Sequence, residues 1–247
     1  MKRFFNWQVI LALILVTLSV IFYFIHFLVF RDLHHIFLYL IGDIAFLFVD
    51  VLIVMLVLHR LLAYREKRSI LKKLNMVIGT FFSEVGTELI KKCSRFDPEL
   101  AHLGKELVVT KDWTDKEFIR VRRSIKDYES SINSKSGSLI EVKDFLVSKR
   151  PFLLNLLENP NLLEHESFTE LLWAVFHLTD ELAHRRDLAK LPETDYQHLS
   201  GDIKRAYQHL ILQWLDYMRH LKQDYPYLFS LAMRTNPFDV NASVEVK

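Results

Sequence analysis

The chain has 247 residues, 51% of them hydrophobic, and its 32 basic and 30 acidic side chains leave a net charge of +2. A single cysteine, Cys93, excludes an internal disulfide framework and suits a reducing compartment. Six glycines and six prolines are too few for the many turns of a β-sandwich or barrel, so an all-α fold is expected.

From Trp7 to Leu58 the chain reads as an apolar hairpin: WQVILALILVTLSVIFYFIHFLVF, the turn RDLHH, then IFLYLIGDIAFLFVDVLIVMLVL. Each arm, about 7–30 and 36–58, exceeds the roughly 20 residues a helix needs to cross a hydrocarbon core. A cleaved signal peptide fits poorly, because the first run is too long, lacks a small-residue cleavage site and is followed at once by a second span. Lys2 and Arg3 precede the first span and a basic cluster follows the second, while the turn holds Arg31 offset by Asp32. Basic flanks stay inside, so both termini are expected on the cytoplasmic side of the membrane.

The spans carry polar residues that need an explanation. Ser19, Tyr23 and His26 recur at helical spacing in the first, and Asp43 and Asp50 lie seven apart in the second. A carboxylate at mid-membrane costs about 2.5–3.5 kcal/mol on insertion scales, so each needs a partner, a proton or water. With the hairpin turning near Leu33, Asp43 is level with the Tyr23 hydroxyl, and Asp50 is level with Val16, a turn from Ser19. These groups would serve a proton or cation pathway, a metal site with His34 and His35, or hydrogen bonds that fix helix register and a homo-oligomer.

Arg60, Arg65, Lys67, Arg68, Lys72 and Lys73 form the basic cluster. It is expected to meet anionic lipid headgroups, at about 1 kcal/mol per residue. Membrane topology accounts for it, so no nucleic-acid partner is expected. Next, Leu71, Leu74, Val77, Ile78, Phe81, Phe82, Val85 and Leu89 make one apolar stripe at helical period, with Gly79 and Gly86 beside it. This segment is expected to continue the second span, to lie along the membrane or to pack into the following domain.

Helix starts punctuate the remainder. Asp97 before Pro98 resembles an N-cap with proline at the first helical position. Thr114 with Glu117, Ser138 with Glu141, Ser167 with Glu170 and Thr194 with Gln197 read as capping boxes. Pro151 and Pro160 bracket a leucine-rich run, a long helix is expected from near Asp195 to about Asp224, and Pro226 bends or restarts it. The organisation so read is a hairpin over 1–60, a basic and amphipathic linker helix over 61–95, a cytoplasmic helical domain over 96–238 and a disordered tail over 239–247.

The best candidate for metal chemistry lies on the helix after Ser167. His177, Asp180, Glu181 and His184 share a helix face, with Glu181-Leu-Ala-His184 matching the Glu-x-x-His element of di-metal bundles. His198, Asp202 and His209 fall on one side of the next helix, so facing helices could offer imidazole and carboxylate to zinc, iron or manganese. Against this, the His177 face lies opposite the stripe of Leu171, Leu172, Val175, Leu178 and Leu182, where a solvated face is the ordinary expectation. A second Glu-x-x-His is also missing. The lone Cys93 has no histidine near it in sequence, and the serines lack a nucleophile-elbow pattern.

Three stretches carry a resemblance: NMVIGTFFSEVGTELI (Asn75–Ile90), ENPNLLEHESFTELLWAVFHL (Glu158–Leu178) and YPYLFSLAMRTNPF (Tyr225–Phe238). They are similar to a family of uncharacterised prokaryotic membrane proteins, which implies two N-terminal spans before a helical cytoplasmic region and implies no activity. The reading is an all-α protein, a two-helix transmembrane hairpin followed by a cytoplasmic helical bundle. It is expected to act as a membrane-anchored interaction or regulatory module with a protein partner and no cofactor. The alternatives are an oligomeric proton or cation conductor built on Asp43 and Asp50, and a metal-dependent enzyme using the histidine faces.

Overall fold

The computed structural model describes residues 2–98, 104–128, 130–160, 162 and 165–245. These residues form helices joined by turns, with no strand among them, and they divide into two compact units, Met1–Glu66 and Lys67–Lys247.

The first unit holds α1 (Lys2–Phe30) and the opening of α2 (Leu33–Phe81). The turn between them is shorter than the five residues expected, because His34 and His35 already belong to α2. Arg31 ends α1 in the left-handed region, φ 49°, with its amide donating to the Phe27 carbonyl at 2.8 Å. Asp32 then caps α2, its Oδ1 accepting from the amides of His34 and His35 at 2.9 and 3.3 Å. Two stretches, Val9–Phe30 and Leu33–Glu66, are long and apolar enough to cross a membrane, and none of either is buried within the protein. Where a polar group sits within α1 it can be satisfied locally, as Thr17 is by donating to the Leu13 carbonyl at 2.7 Å.

The second unit begins within α2. Leu74, Ile78 and Phe81 are buried, and the helix then passes through a π-helical turn, Phe82–Gly86, into α3 (Thr87–Ser94). From Leu74 onward the apolar stripe of this segment is packed into the core of the helical domain, where Phe82, Val85, Leu89, Ile90 and Cys93 are also buried. Gly79 faces Tyr217, whose hydroxyl a Cβ would meet at 3.3 Å. Gly86 lies under rings of its own segment, where a Cβ would stand 2.5 Å from Phe82 and 2.9 Å from Phe81.

A short 3-10 turn, Lys105–Leu107, precedes α4 (Asp115–Asp127), α5 (Leu139–Leu157), α6 (Glu166–His184), α7 (Glu193–Asp224) and α8 (Pro226–Arg234). The 32-residue α7 organises the unit, packing against α3, α4, α6 and α8, and α5 closes over α6. Its inner face carries Leu199, Ile203, Ala206, Tyr207, Leu210, Trp214 and Leu221, all buried at helical spacing.

One of the expected capping boxes forms as read and a second forms by half, with Glu141 Oε2 turned to Arg95 at 2.8 Å. Thr114 and Glu117 make a reciprocal box, and Ser138 accepts from the Glu141 amide at 3.3 Å. The other two fall out of register. His165 caps α6 through Nδ1, which accepts from the Phe168 amide at 3.3 Å, while the Ser167 hydroxyl donates to Gln213 Oε1 at 3.1 Å. α7 begins at Glu193, so Thr194 is already helical. Pro151 does not bound a helix but lies inside α5, where the missing amide costs a hydrogen bond that packing of Leu146, Leu153 and Leu156 offsets. The helix expected after Asp97–Pro98 would run into residues 99–103, outside the described residues. Trp173 and Tyr227 are exposed, unlike the buried Trp214 and Phe229.

Candidate functional site

In the first unit, Ser19, Tyr23, His26 and Asp43 line one cleft of about 640 Å³ with Phe30, His35 and Tyr39. The His26 and His35 rings stack, centroids 5.7 Å apart, and among the described residues neither Nδ1 has a hydrogen-bond partner. Asp50 lines a different cleft, with Val54, Leu58 and His59. Among the described residues neither Asp43 nor Asp50 makes a hydrogen bond, so the expected link from Tyr23 to Asp43 is not formed. Arg60 and Arg65 are exposed, while the side chains of Lys67, Arg68, Lys72 and Lys73 lie outside the described residues.

The second unit assembles part of the histidine and carboxylate set. α6 and α7 run back to back through a turn of eight residues, 185–192, which sets them antiparallel and pairs positions from opposite ends. His177 and Glu181 stand one turn apart on α6, and His198 and Asp202 one turn apart on α7, so each pair projects from one face. Across the gap, His177 Nε2 is 3.5 Å from Asp202 Oδ2, and His198 Nε2 is 3.6 Å from Glu181 Oε2. The next step of the same ladder is Arg185, which donates to both Asp195 oxygens at 2.8 and 2.6 Å and to Glu181 Oε2 at 2.6 Å. This guanidinium holds the Glu181 carboxyl below the usual carboxylate range and lowers Asp195 likewise.

Asp202 is the buried member, 4% exposed, while the two imidazoles reach solvent. Its Oδ1 accepts from Arg205 at 3.3 Å. Its Oδ2 lies 3.2 Å from His198 Nε2, yet no hydrogen bond reaches it. The donor atoms of His177, His198 and Asp202 all lie within 4.8 Å of one another.

Asp180, His184 and His209 do not join them. Asp180 accepts from Arg150 at 3.2 Å, and His184 Nδ1 lies 2.7 Å from the Asp180 carbonyl. His209 lies two turns further along α7, its pKa lowered by burial against the nearby charge of Glu170. Cys93 is fully buried, which pushes its thiol up to about 12 and leaves no thiolate for chemistry.

Sequence reasoning named the four clustered residues but missed the two arginines that frame them. The signal for Arg185 was its place one turn after Glu181, a spacing at which opposite charges meet on a helix.

The comparisons follow the same division of the chain. A family described as "Uncharacterized protein MJ1433, C-terminal helical domain" matches residues 70–234, and one described as "MJ1433, N-terminal helical domain" matches residues 2–62. A relative from Methanocaldococcus jannaschii, named "Uncharacterized protein MJ1433", is 45% identical over 242 residues, 98% of this chain and 97% of that protein. No solved structure gives a significant match. With both helical regions matched and a relative aligned over nearly its whole length, this chain belongs to the MJ1433 family.

Proposed function

We propose that this is a membrane-anchored protein whose two N-terminal helices hold a helical interaction or regulatory module at the cytoplasmic face of a prokaryotic plasma membrane. One observation carries the reading: Val9–Phe30 and Leu33–Glu66 are predominantly apolar, and none of their side chains is buried within the protein. A helix of that composition from a soluble core would be buried; one that is apolar on every side is at home in lipid. The basic residues after the second span, against Arg31 and Asp32 in the turn, support the cytoplasmic placement. Alkaline carbonate extraction of membranes from expressing cells tests the anchoring. The protein stays with the pelleted bilayer on this reading, and release into the supernatant overturns it.

A second reading, an oligomeric proton or cation conductor, draws support from the cleft that gathers Asp43 with Ser19, Tyr23 and His26. Intramembrane carboxylates of this kind mark ion paths in many transporters. Reconstituted protein that passes no protons or cations at any pH overturns that reading.

A further inference from the structure

We propose that His177, His198 and Asp202 bind a divalent transition-metal ion, with Glu181 as a supporting carboxylate beside it. The donor set is two imidazoles and one carboxylate, the combination that binds zinc with an open fourth position or ferrous iron with open sites. Hard cations such as magnesium prefer all-oxygen sites, so the two nitrogens select against them.

The spacing fits an ion. Ligands about 2.0–2.1 Å from a tetrahedral zinc stand about 3.3–3.4 Å from one another. The carboxylate oxygen Asp202 Oδ2 is 3.2 Å from His198 Nε2 and 3.5 Å from His177 Nε2. Both rings are half-exposed, at 51% and 45%, so they can swing to close the remaining edge without disturbing the core. The same exposure turns the open position toward solvent.

The second observation is the orphan oxygen. Asp202 Oδ2 is shielded from water and takes no hydrogen bond, although two ring nitrogens stand close to it. Buried carboxylate oxygens are ordinarily satisfied, and leaving one uncompensated is costly. A plain histidine–aspartate ion pair would aim an N–H along the short contact. Here the two ring nitrogens stand 3.2 and 3.5 Å from the oxygen without hydrogen-bonding it, distances that a shared ion would accommodate.

The surroundings hold the ligands in place. Arg205 engages the other Asp202 oxygen, and Arg185 engages Glu181 while pinning the start of α7 through Asp195. Such outer partners fix ligand orientation and raise metal affinity. Glu181, 3.8 Å from His177 and already held by arginine, supports the site and does not take the first place in it.

The test is zinc titration of the full-length chain, purified in detergent and stripped with a chelator, followed by isothermal calorimetry. One high-affinity site is expected, with no comparable heat from magnesium. His177→Gln and His198→Gln are exposed changes that leave the circular dichroism spectrum intact. Each is expected to weaken zinc binding by more than about tenfold, a loss that even supporting residues around such sites can produce. Asp202→Asn is expected to do the same, and the two histidine variants keep the test valid if it unfolds. Absence of zinc binding overturns the proposal, as does a high-affinity site that survives in the His177→Gln/His198→Gln double variant. Magnesium binding of equal strength overturns the transition-metal assignment.

Discussion

Arg185 ends α6 and grips Asp195 near the start of α7 through two parallel hydrogen bonds, 2.8 and 2.6 Å long. Because α6 and α7 run antiparallel, that pair sets the register for the steps behind it, Glu181 against His198 and His177 against Asp202. The charged ladder is thus a product of helix pairing, with the arginine fork as its clasp.

Arg185→Ala is expected to lower the stability of the helical domain by about 2 kcal/mol, within the range for hydrogen bonds to charged groups. Arg185→Lys should recover less than half, since an ammonium cannot grip a carboxylate with two parallel bonds. Urea denaturation followed by circular dichroism measures both. Losses within about 0.5 kcal/mol, the scatter of ordinary surface substitutions, would show that the clasp is not structural.

Gly86→Ala should destabilise the domain by about 1–3 kcal/mol, because the new methyl group overlaps the Phe82 and Phe81 rings at 2.5 and 2.9 Å. The same change at exposed Gly201, where nothing lies within reach of a Cβ, should be neutral or stabilising, since alanine favours a helix. Thermal melts of the two variants compare them directly. Equal melting temperatures would contradict the packing at the π-helical turn.

Acidification should weaken the domain through three histidines. Burial lowers His165, His209 and His220 below their ordinary 6.5, against the partial pull of Asp216, Glu170 and Asp224 respectively. As pH falls below 6.5, the unfolded chain takes up protons that the folded chain resists, so stability is intact above that pH and is lost progressively below it. His165 adds a local reason, since protonation removes the Nδ1 acceptor that caps α6. The melting temperature should therefore fall between pH 7.5 and about 5.5. A melting temperature that stays flat or rises over that interval would contradict this burial.

A fragment that begins at Lys67 should fold without the hairpin, and one that begins at Asp97 should not. The shorter piece lacks Leu74, Ile78, Phe81, Phe82, Val85, Leu89 and Ile90, which are buried in the same core as α5, α6 and α7. Large apolar truncations typically cost about 2–5 kcal/mol each, more in sum than a domain of this size holds in reserve. A cooperative melt from the Asp97 fragment would contradict the shared core.

Much of this architecture was legible in the residues. The apolar runs around Val9–Phe30 and Leu33–Glu66, the stripe of α7 and the caps at Thr114 and Ser138 follow from periodicity and local hydrogen bonding alone. The caps of α6 and α7 were less legible, because Ser167 and Thr194 each lie two residues past the true caps at His165 and Pro192. Which polar side chain caps depends on where the preceding loop delivers the backbone. Pro151 misled for a related reason, since core packing on both sides of it outweighs its missing amide. The side-chain cluster was half legible. Helical spacing put His177 beside Glu181 and His198 beside Asp202, but the burial of Asp202 depends on how closely α6 and α7 pack, and one helix at a time does not carry that.

On the proposed topology, two N-terminal spans hold the helical domain inside the cell. Paired fusions test it most directly, with a reporter that matures only in the cytoplasm and a phosphatase active only outside, each placed before Phe4, between Arg31 and Asp32, and after Lys247. Cytoplasmic signal at both ends with phosphatase activity at the turn is the predicted result. Phosphatase activity after Lys247 would contradict the topology, and cytoplasmic signal at all three positions would contradict the spans themselves.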